Sequence, residues 1–256
     1  TSFQRSHVDS GCTFCGACID ICPTGSLADR YGRWYGLPHE VVTSACEICP
    51  EGCSFSVLLK NQGVIATRLT GNNRDARLCA LGRFAYVQLM NAPARLRHPR
   101  LKEGGEHVGV DRDKTVAAVA QRLQKYVGES FAVIATESGT REARYLYEKF
   151  ARDVMKGRII YFRADGGPDP NGPQEGILDG TIKAAIMAGN LLTEDALAKI
   201  EYLVVIDFLP SAASRRADAL LPAAVLSEVS GTLRTSAGEI KAVSALTPPP
   251  DEATIR

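Results

Sequence analysis

The sequence has 256 residues, of which 45% are hydrophobic and 23% are charged, and its formal net charge is +1. This composition is typical of a globular protein that buries a sizeable core in one or two domains. A net charge so close to zero gives no general attraction to nucleic acid or to a membrane surface. No apolar run approaches the roughly 18 residues of a membrane span, so we expect neither a nucleic-acid partner nor direct membrane insertion.

All eight cysteines lie in the first third of the chain, in two groups of four. The first group has the spacing C-x2-C-x2-C-x3-C-P and comprises Cys12, Cys15, Cys18 and Cys22. The second begins C-x2-C-x3-C, is completed 26 residues later, and comprises Cys46, Cys49, Cys53 and Cys79. Cysteine thiolates hold iron–sulfur clusters, and the first spacing is typical of [4Fe–4S] binding. The cysteines therefore predict two [4Fe–4S] clusters.

Two other uses of clustered cysteines are open at this point. Zinc knuckles use paired C-x2-C units, which the three-plus-one grouping of the second set fits poorly. Disulfides are typical of small secreted scaffolds, whereas this chain has ample core-forming residues and no signal-peptide pattern. Clustered thiols without an export signal favour a reducing cytoplasm as the location.

The fourth ligand of the first cluster has two candidate roles. In two-cluster ferredoxins the last cysteine of such a run binds the other cluster. No second copy of the run is present, so Cys22 either closes its own cluster or serves a centre shared with other ligands. The division into four and four favours the first alternative. His7, which precedes Cys12, is a further candidate ligand, although a surface histidine is the commoner role.

Short elements are predicted around the first group. Glycine tolerates positive φ and close approach, so Gly16 suits a tight loop around a cluster. Residues 18–22 are predicted to form one helical turn. Tyr31, Trp34 and Tyr35 predict a small apolar plug between the two clusters, which would shield them from water.

A β-hairpin is predicted after the second cysteine loop. Residues 55–59 and 64–67 are apolar and partly β-branched, with a turn at 61–63. Such a hairpin can return Cys79 to the loop. Residues 68–100 contain seven arginines and one acidic residue. This basic stretch predicts a solvated face, compensation of a negatively charged cluster, or a docking patch for an acidic partner.

The rest of the chain alternates strand and helix signals after a connection at 91–104 that is rich in Pro, Arg and Lys. Apolar runs predict buried strands at 131–135, 158–162, 183–187 and 202–208. Amphipathic patterns predict helices at 113–126, 141–155 and 192–200. The apolar face predicted for the first of these helices comprises Val116, Val119, Ala120 and Leu123. This order of elements predicts a parallel, doubly wound, Rossmann-like α/β domain.

No glycine-rich nucleotide motif and no nucleophile–base set accompanies this domain. Ser138-Gly139-Thr140 alone is weak support for phosphate binding. Doubly wound sheets bind ligands at the carboxyl ends of their strands, so a vestigial pocket near Ser138, Asp165 and Asp207 is one hypothesis. The simpler hypothesis is that these polar residues cap helices and close loops.

Five stretches of the sequence resemble one known family. They read CPTGSLADR, CEICPEGCSF, GNNRDARLCALGRFAY, FAVIATESGTREARYLYEKFAR and IEYLVVIDFLPSAASRRADALLPAAVLSEVSGTLRTSAGEI. They are similar to the N-terminal part of molybdopterin oxidoreductases, above all the formate dehydrogenase catalytic subunit and the large iron–sulfur subunit of respiratory complex I. The resemblance covers most of the chain. Its most specific part is the spacing from Cys46 to Cys79, followed by Gly82-Arg83-Phe84.

The chain departs from that family where a molybdenum site is expected. Leu81 stands where molybdenum enzymes of the family have a lysine between cluster and pterin, and no cysteine follows Cys79 as a metal ligand. Residues 189–192 read Gly-Asn-Leu-Leu where the family has Gly-x-Asn-Pro. Because family members are much longer, the resemblance implies a truncated chain without the C-terminal pterin domain. We therefore expect the fold without molybdopterin, for which the complex I subunit is a precedent.

The sequence predicts an electron-relay subunit that is not catalytic alone. Its two clusters would pass single electrons between partner subunits, such as a flavin-bearing, NADH-oxidising subunit and a hydrogenase or other reductase. The predicted division is a ferredoxin-type segment at 1–35, a [4Fe–4S] domain of the molybdopterin oxidoreductase type at 36–95, a Rossmann-like α/β domain at 96–247 and a Pro-rich tail at 248–256.

Two rival hypotheses are open. One is a compact or truncated molybdopterin oxidoreductase, for instance part of a formate dehydrogenase. The other is a zinc-stabilised interaction module without redox function. Metal content distinguishes the three, because the relay holds iron and sulfide, the enzyme adds molybdenum, and the module holds zinc.

Overall fold

The computed structural model describes residues 4–70, 78–162, 168–174 and 176–249. Within these ranges the chain forms six α-helices and twelve β-strands in three sheets. A three-stranded antiparallel sheet lies in the cysteine region, a seven-stranded sheet forms the main body, and a two-stranded hairpin lies near the C-terminus. The protein is mixed α/β, as predicted. No helix in the described ranges is both long and apolar enough to cross a bilayer.

The small sheet packs against the residues that follow Cys79. Its strands and flanking helices are α1 (Ala17–Ile21), β1 (Glu40–Ala45), β2 (Ser54–Lys60), β3 (Gly63–Leu69) and α2 (Tyr86–Met90). A π-helical turn, Leu81–Ala85, leads into α2. The rings of Phe55 and Tyr86 meet edge to face with centroids 5.0 Å apart. Apolar side chains of the sheet and of α2 thereby form one small core.

The predicted β-hairpin is confirmed, and its turn has a defined geometry. Asn61 and Gln62 have φ values of 50° and 63°, and Lys60 pairs with Gly63 across the turn. Positive φ at both central residues is the mark of a type I′ turn, whose twist matches that of the flanking strands. β1 was not predicted, because its sequence, EVVTSA, has an exposed first half and little apolar alternation.

The apolar plug predicted from Tyr31, Trp34 and Tyr35 is wrong. All three side chains are exposed, Trp34 to 77%, and the Arg33 guanidinium stacks 4.5 Å from the centre of the Trp34 ring. The turn that carries them meets the sheet through Gly32, where a Cβ would lie 3.2 Å from the Ile65 carbonyl oxygen. Because the glycine side of this turn faces the sheet, the aromatic side chains face outward.

The large sheet is mixed. Its strands are β4 (Arg100–Glu103), β5 (Glu106–Gly109), β6 (Phe131–Thr136), β7 (Arg158–Phe162), β8 (Ala184–Ala188), β9 (Tyr202–Asp207) and β10 (Ala219–Pro222). Their order is β5-β4-β10-β9-β8-β6-β7. The five strands from β10 to β7 run parallel, and the β4–β5 hairpin joins β10 antiparallel. The parallel part has the 2-1-3-4-5 order of flavodoxin-like doubly wound sheets.

The four strands predicted for this sheet are confirmed as β6 to β9, with small shifts at their ends. β4, β5 and β10 were not predicted. Residues 100–109 are mostly charged or glycine, because an edge hairpin buries little of either face. β10 has only four residues and ends in proline, so it carries no periodic signal.

Four helices flank the parallel strands, and three of them begin at side-chain caps, which are Asp111, Thr140 and Ser211. The helices are α3 (Arg112–Leu123), α4 (Arg141–Lys149), α5 (Glu194–Lys199) and α6 (Ala212–Arg216). The Asp111 carboxylate accepts hydrogen bonds from two N–H groups at the start of α3. The Thr140 hydroxyl accepts one at the start of α4. These caps satisfy donors that have no partner within the helix.

The helices predicted at 113–126, 141–155 and 192–200 are confirmed, but the buried face of the first differs from the prediction. Thr115, Val119 and Leu123 are buried, whereas Val116 and Ala120 are exposed. Residues four apart share one side of a helix. α3 therefore packs along a narrow i, i+4 stripe in which threonine takes a core position.

Both faces of β6 are buried, which accounts for its continuous apolar sequence. Ala132 and Ile134 belong to the core cluster on one face of the sheet. Phe131 and Val133 belong to the cluster on the other face. β6 is thus shielded from water on both faces of the sheet.

The C-terminal segment returns to the cysteine region. β11 (Gly231–Arg234) and β12 (Ile240–Val243) form the two-stranded hairpin. The Lys241 ammonium donates to the Gly52 carbonyl at 3.0 Å. The Ser236 N–H donates to the Pro50 carbonyl at 2.7 Å. The second cysteine loop is therefore held between its own sheet and this hairpin.

Phe131→Ala is expected to lower the free energy of unfolding by about 3–5 kcal/mol, because it removes a ring from a closed core. Phe131 is fully buried, and its ring meets that of Phe150 with centroids 6.0 Å apart. Urea unfolding of both proteins measures the difference. Val127→Ala, at an exposed position, is the matched control and should cost less than about 0.5 kcal/mol. Equal midpoints for the two variants would contradict this packing.

Candidate iron–sulfur centres

The second cysteine group lies on the loop between β1 and β2 and at the start of the π-helical turn. Cys46 directly follows β1 and is 5% exposed. Its N–H donates to the Cys53 carbonyl at 2.8 Å, which closes the loop. The Cys79 carbonyl accepts the Arg83 N–H at 2.9 Å. The Cys79 thiol lies close enough to Cys46 and Cys53 to affect the ionisation of both, so the chain brings Cys79 back to this loop, as the hairpin prediction required.

Gly82 lets the π-helical turn pass beside the Cys46 thiol. A Cβ at position 82 would lie 3.4 Å from Cys46 Sγ and 2.5 Å from a methyl carbon of Leu78. The second distance is shorter than any side chain tolerates without movement of its neighbour. A side chain at position 82 would therefore displace Leu78 from its place beside Cys46.

The four thiols of the second group influence one another. Burial raises the pKa of the Cys46 thiol to about 12, and the charges of Cys49, Cys53 and Cys79 act in the same direction. Burial also raises the pKa of Cys53, with further contributions from Cys49 and Cys79. Four thiolates cannot share this space without a compensating cation, because each disfavours ionisation of the others. The donor set suits a positively charged metal centre.

The first cysteine group lies around α1. Gly16 precedes the helix with a φ of 73°, as its predicted place in a tight loop requires. Cys12 and Cys18 are exposed, while Cys15 and Cys22 are half-buried. The thiols of this group are therefore far more open to solvent than Cys46.

Cys22 is held by hydrogen bonds from its own loop. The hydroxyls of Ser26 and Thr24 lie 3.3 and 3.5 Å from its sulfur, and the Leu27 N–H donates to it at 3.5 Å. These contacts, led by Ser26, lower the pKa of Cys22 to about 6. Cys22 is therefore a thiolate at neutral pH, the form that binds iron.

The donor sets fit [4Fe–4S] clusters in kind and number. All eight cysteines are free thiols. In the described part of the chain, which includes all eight, no three thiol, imidazole or carboxylate groups could hold one metal ion. A zinc site places four ligands around a single ion, whereas a cubane binds each thiolate at a different iron and accepts a wider spread. The assignment of the eight thiols as cluster ligands stays a prediction.

Arg83 joins the two cysteine groups. It lies in the π-helical turn after Cys79, and its guanidinium binds both carboxylate oxygens of Asp20, at 2.8 and 3.0 Å. Asp20 lies in α1, between Cys18 and Cys22. The side chain of Arg83 is 3% exposed and that of Asp20 16%. A largely buried, bidentate ion pair therefore connects one cysteine run to the other.

Further contacts surround this ion pair. The Arg83 guanidinium also donates to the Thr67 carbonyl, and Asp20 accepts the Leu69 N–H at 3.1 Å. Gly16 lies directly against the arginine, since a Cβ there would be 2.5 Å from Arg83 Nε. Each polar group of the pair thus has partners on two different elements.

Sequence reasoning marked Gly82-Arg83-Phe84 as specific but gave Arg83 no role, because its partner is 63 residues away. One signal was available. A carboxylate inside a run of thiolate ligands lies in a region of negative charge, so a nearby cation is expected to offset the repulsion. Asp20 occupies such a position.

The basic stretch contains two kinds of arginine. Arg83 and Arg95 are buried, and each is paired with a carboxylate. Arg97 is exposed, as the prediction of a solvated face implies. Arg83 and Arg95 compensate carboxylates, so compensation of a cluster by this stretch stays a prediction. Arg74 and Arg77 lie outside the described residues.

The polar residues at the ends of the parallel strands close their own loops. One carboxylate oxygen of Asp207 accepts the N–H groups of Phe208 and Leu209, and the other accepts the Ser211 hydroxyl. The Ser138 hydroxyl donates to Thr136 at 3.0 Å. These contacts support the capping hypothesis over a vestigial pocket. Asp165 lies outside the described residues.

His7 gains no support as a metal ligand. Its carbonyl accepts the Cys12 N–H at 3.0 Å, and its ring is tilted against that of Phe14 with centroids 6.3 Å apart. The residue therefore positions Cys12 through its backbone. Leu81, at the place of the family's lysine, is 52% exposed.

Comparisons with known proteins agree with this chemistry. Residues 7–27, which include the first cysteine group, match the family model of the 4Fe-4S binding domain. The NADPH-Fe(3+) oxidoreductase subunit alpha of Geobacter sulfurreducens is 29% identical over 149 residues, 56% of this chain and 17% of that protein. The F420-dependent formate dehydrogenase 2 subunit alpha of Methanococcus maripaludis is 27% identical over 119 residues, 46% of this chain and 18% of that protein.

The chain is homologous to oxidoreductase alpha subunits. The expected resemblance to formate dehydrogenases is thereby confirmed, and the family match supports at least one [4Fe–4S] cluster. The matched part is less than a fifth of the length of either relative. Homology thus supports electron transfer within an oxidoreductase. It does not identify the partner subunits or the reaction.

Glu47 is a buried carboxyl group next to Cys46 in the second cysteine loop. It is 5% exposed, and its Oε1 atom is buried without a hydrogen-bond partner. Burial raises its pKa from 4.5 to about 8. The folded protein therefore holds a proton on Glu47 at neutral pH, which the unfolded chain releases.

The protein is expected to lose stability as the pH rises from about 4.5 to about 8, since the folded state binds the extra proton in that window. The slope from this group alone approaches about 1.4 kcal/mol per pH unit. Glu47→Gln should flatten it and stabilise the protein at pH 8. Urea midpoints across this pH range measure the effect, with the exposed Glu40→Gln as control. A steep slope that survives in Glu47→Gln would contradict the assignment.

Ser26→Ala is expected to raise the pKa of Cys22 towards its ordinary value, because Ser26 contributes most to its lowering. The pH dependence of Cys22 alkylation, followed by peptide mass spectrometry in the metal-free chain, measures this pKa. Ser10→Ala is the control, since that hydroxyl donates to the His7 carbonyl instead of a thiol. The same alkylation profile in both variants would show that Ser26 does not act on the thiolate.

Proposed function

We propose that this chain is an iron–sulfur electron-transfer subunit of a multi-subunit oxidoreductase. It relays single electrons through two [4Fe–4S] clusters between partner subunits. The observation that carries the proposal is the pair of four-thiol groups, joined in one fold by Arg83 and Asp20. The 4Fe-4S match over residues 7–27 and the homology to oxidoreductase alpha subunits support it.

In this proposal each cysteine group holds one cluster. The ligands of the first are Cys12, Cys15, Cys18 and Cys22, and those of the second are Cys46, Cys49, Cys53 and Cys79. A bound [4Fe–4S] cluster supplies a centre that gains and loses one electron. The chain's own residues set how readily it does so.

Two features of the chain act on the reduction potentials. The hydroxyls of Ser26 and Thr24 and the Leu27 N–H donate to the Cys22 sulfur. Hydrogen bonds to a ligand sulfur stabilise the added negative charge and raise the potential. Cys46 instead lies in the small apolar core with Phe55 and Tyr86. This core excludes water and favours the oxidation state of a bound cluster that carries the smaller net charge. The two centres are therefore expected to differ in potential.

The name of one relative suggests the kind of partner. NADPH gives up a hydride, which carries two electrons, whereas iron(III) accepts one electron. A chain that carries single electrons fits between a flavin, which divides the electron pair, and a one-electron acceptor. We propose a flavin-bearing, NADH-oxidising subunit and a hydrogenase or other reductase as partners, in the cytoplasm.

The proposed division of labour follows the chain. The ferredoxin-type segment at 1–35 and the region at 36–95 hold the clusters. The doubly wound α/β region at 96–247 is scaffold and docking surface, and the tail at 248–256 lies mostly outside the described residues. The first segment is the more exposed of the two cluster regions, which suits exchange with a partner.

A molybdopterin oxidoreductase is the second candidate, favoured by the homology to a formate dehydrogenase alpha subunit. The residues present do not fit the family's molybdenum site, because Leu81 replaces the lysine and no cysteine follows Cys79. Asp207, at the end of β9, is engaged in its own loop. We therefore propose no catalytic step at a molybdenum centre.

Cys79→Ser and Cys12→Ser are each expected to lower iron and acid-labile sulfide by one cubane, and the double variant should hold neither cluster. Each substitution removes one of four thiolate ligands. Anaerobic reconstitution of the chain, followed by iron, sulfide, zinc and molybdenum analysis, measures this. Ser10→Ala, close to the first group but without a thiol change, should keep both cubanes.

Other results would redirect the proposal. Unchanged iron in Cys79→Ser would remove that residue from the ligand set. A single cubane in the wild-type chain, with the second found only in a complex, would move Cys22 to a shared site. Stoichiometric pterin, or formate oxidation with an artificial acceptor, would replace the relay by an enzyme. Leu81→Lys should leave formate oxidation at zero.

A further inference from the structure

Residues 4–43, which contain the first cysteine group and are called the first cysteine segment here, pack against the rest of the protein with almost no apolar burial. Among the described residues from 4 to 43, Gly16 alone is buried. Its large apolar side chains are solvent-exposed, including Ile21 at 83% and Trp34 at 77%. α1 itself buries no residue. Apolar packing, which holds the rest of the fold together, therefore does not fix this segment in place.

Polar contacts replace that packing, and those of the cysteine run itself centre on one side chain. Arg83 reaches from the second cysteine group into the first, where it binds Asp20 at 2.8 and 3.0 Å and lies against Gly16. The same guanidinium donates to the Thr67 carbonyl in β3. It therefore connects α1, the small sheet and the π-helical turn after Cys79.

We propose that Arg83 is a positioning residue for electron exchange between the two cysteine-bound clusters. Its ion pair with Asp20 fixes the distance and orientation of one cluster relative to the other. The inference rests on the proposed function and names Arg83 as the residue that holds the two clusters at a fixed separation. The step concerned is the transfer of one electron from one cubane to the other, in which no bond forms or breaks.

The geometry explains why arginine stands at this position. A guanidinium offers a planar fork that binds both oxygens of one carboxylate and keeps further donors for a carbonyl. The ammonium of lysine is a single point that cannot make both contacts in fixed directions. A buried pair of this kind also fixes its partners strongly, because loss of Asp20 leaves the guanidinium without a carboxylate, and loss of Arg83 leaves Asp20 with only the exposed Arg68, 4.0 Å away.

The pair also places charge beside both cysteine groups. As a pair, Arg83 and Asp20 are neutral. Arg83→Gln leaves the carboxylate with only the exposed Arg68 at 4.0 Å, whose charge water screens, so the carboxylate opposes an added electron and lowers the reduction potentials. Asp20→Asn leaves the guanidinium, which favours an added electron and raises them. A side chain that served folding alone would not move the potentials in opposite directions.

The test uses the full chain after anaerobic reconstitution, with iron counted before each measurement. Electron paramagnetic resonance of the dithionite-reduced protein reports the magnetic interaction between two reduced clusters, which depends on their separation and orientation. Redox titration reports both potentials. The variants are Arg83→Gln, Arg83→Lys and Asp20→Asn. Arg95→Gln is the matched control, because the Arg95 side chain is also largely buried, 6% exposed, and is paired with Glu228 instead of a residue within a cysteine group.

The wild-type chain is expected to show two cubanes and a resolved interaction between them. Arg83→Gln and Asp20→Asn should lose the interaction and shift the potentials down and up, respectively. Arg83→Lys keeps the charge, so its potentials should stay near those of the wild type while the interaction weakens. Arg95→Gln should change neither readout. If Arg83→Gln loses a cubane, Asp20→Asn, which retains the arginine and its bond to Thr67, carries the test.

Two outcomes would separate this inference from the proposed function. Two cubanes with the wild-type interaction and potentials in both Asp20→Asn and Arg83→Gln would overturn the role of Arg83 and leave the relay intact. Potentials that shift in the same direction in both variants would also overturn it. A wild-type chain without two cubanes would instead overturn the proposed function.

Discussion

A buried arginine needs a carboxylate, and that requirement shapes the cysteine region of this protein. Removing a charge from water is costly unless the partner and the hydrogen bonds are in place. Arg83 has both, in Asp20 and in the Thr67 carbonyl. Gly16 has no side chain at the one position where a Cβ would meet the guanidinium. A segment with almost no apolar burial is thereby held in one orientation.

The large sheet contributes to the cysteine region from the other side. The Leu96 N–H donates to the Phe208 carbonyl at the end of β9, where the chain leaves the small core for the α/β part. The C-terminal hairpin then returns and bonds the loop at Pro50 and Gly52. The second cysteine group is thus supported by residues from both ends of the chain. This double support suits ligands that must keep their spacing through repeated changes of charge.

Apolar runs and turn residues in the sequence predicted the strands and the hairpin that they form locally. The buried strands β6 to β9 are continuous apolar runs, and the type I′ hairpin has turn residues at its centre, so both followed from the sequence. The β4–β5 edge hairpin, β10 and β1 carry too little apolar signal. The outward aromatic rings were misjudged because Gly32, not the aromatic residues, contacts the sheet. The pair of Arg83 and Asp20 joins residues 63 positions apart, and no periodicity reports such a contact.

The two proposed iron ligands Cys22 and Cys46 differ in protonation state before any metal binds. A thiol must lose its proton before it binds metal, so loading releases protons wherever the free thiol is protonated. Local hydrogen bonds lower the pKa of Cys22 to about 6, so it is already a thiolate at neutral pH. Burial raises the pKa of Cys46 to about 12, so it still carries a proton. An acidic medium therefore opposes metal binding by Cys46 before it opposes metal binding by Cys22.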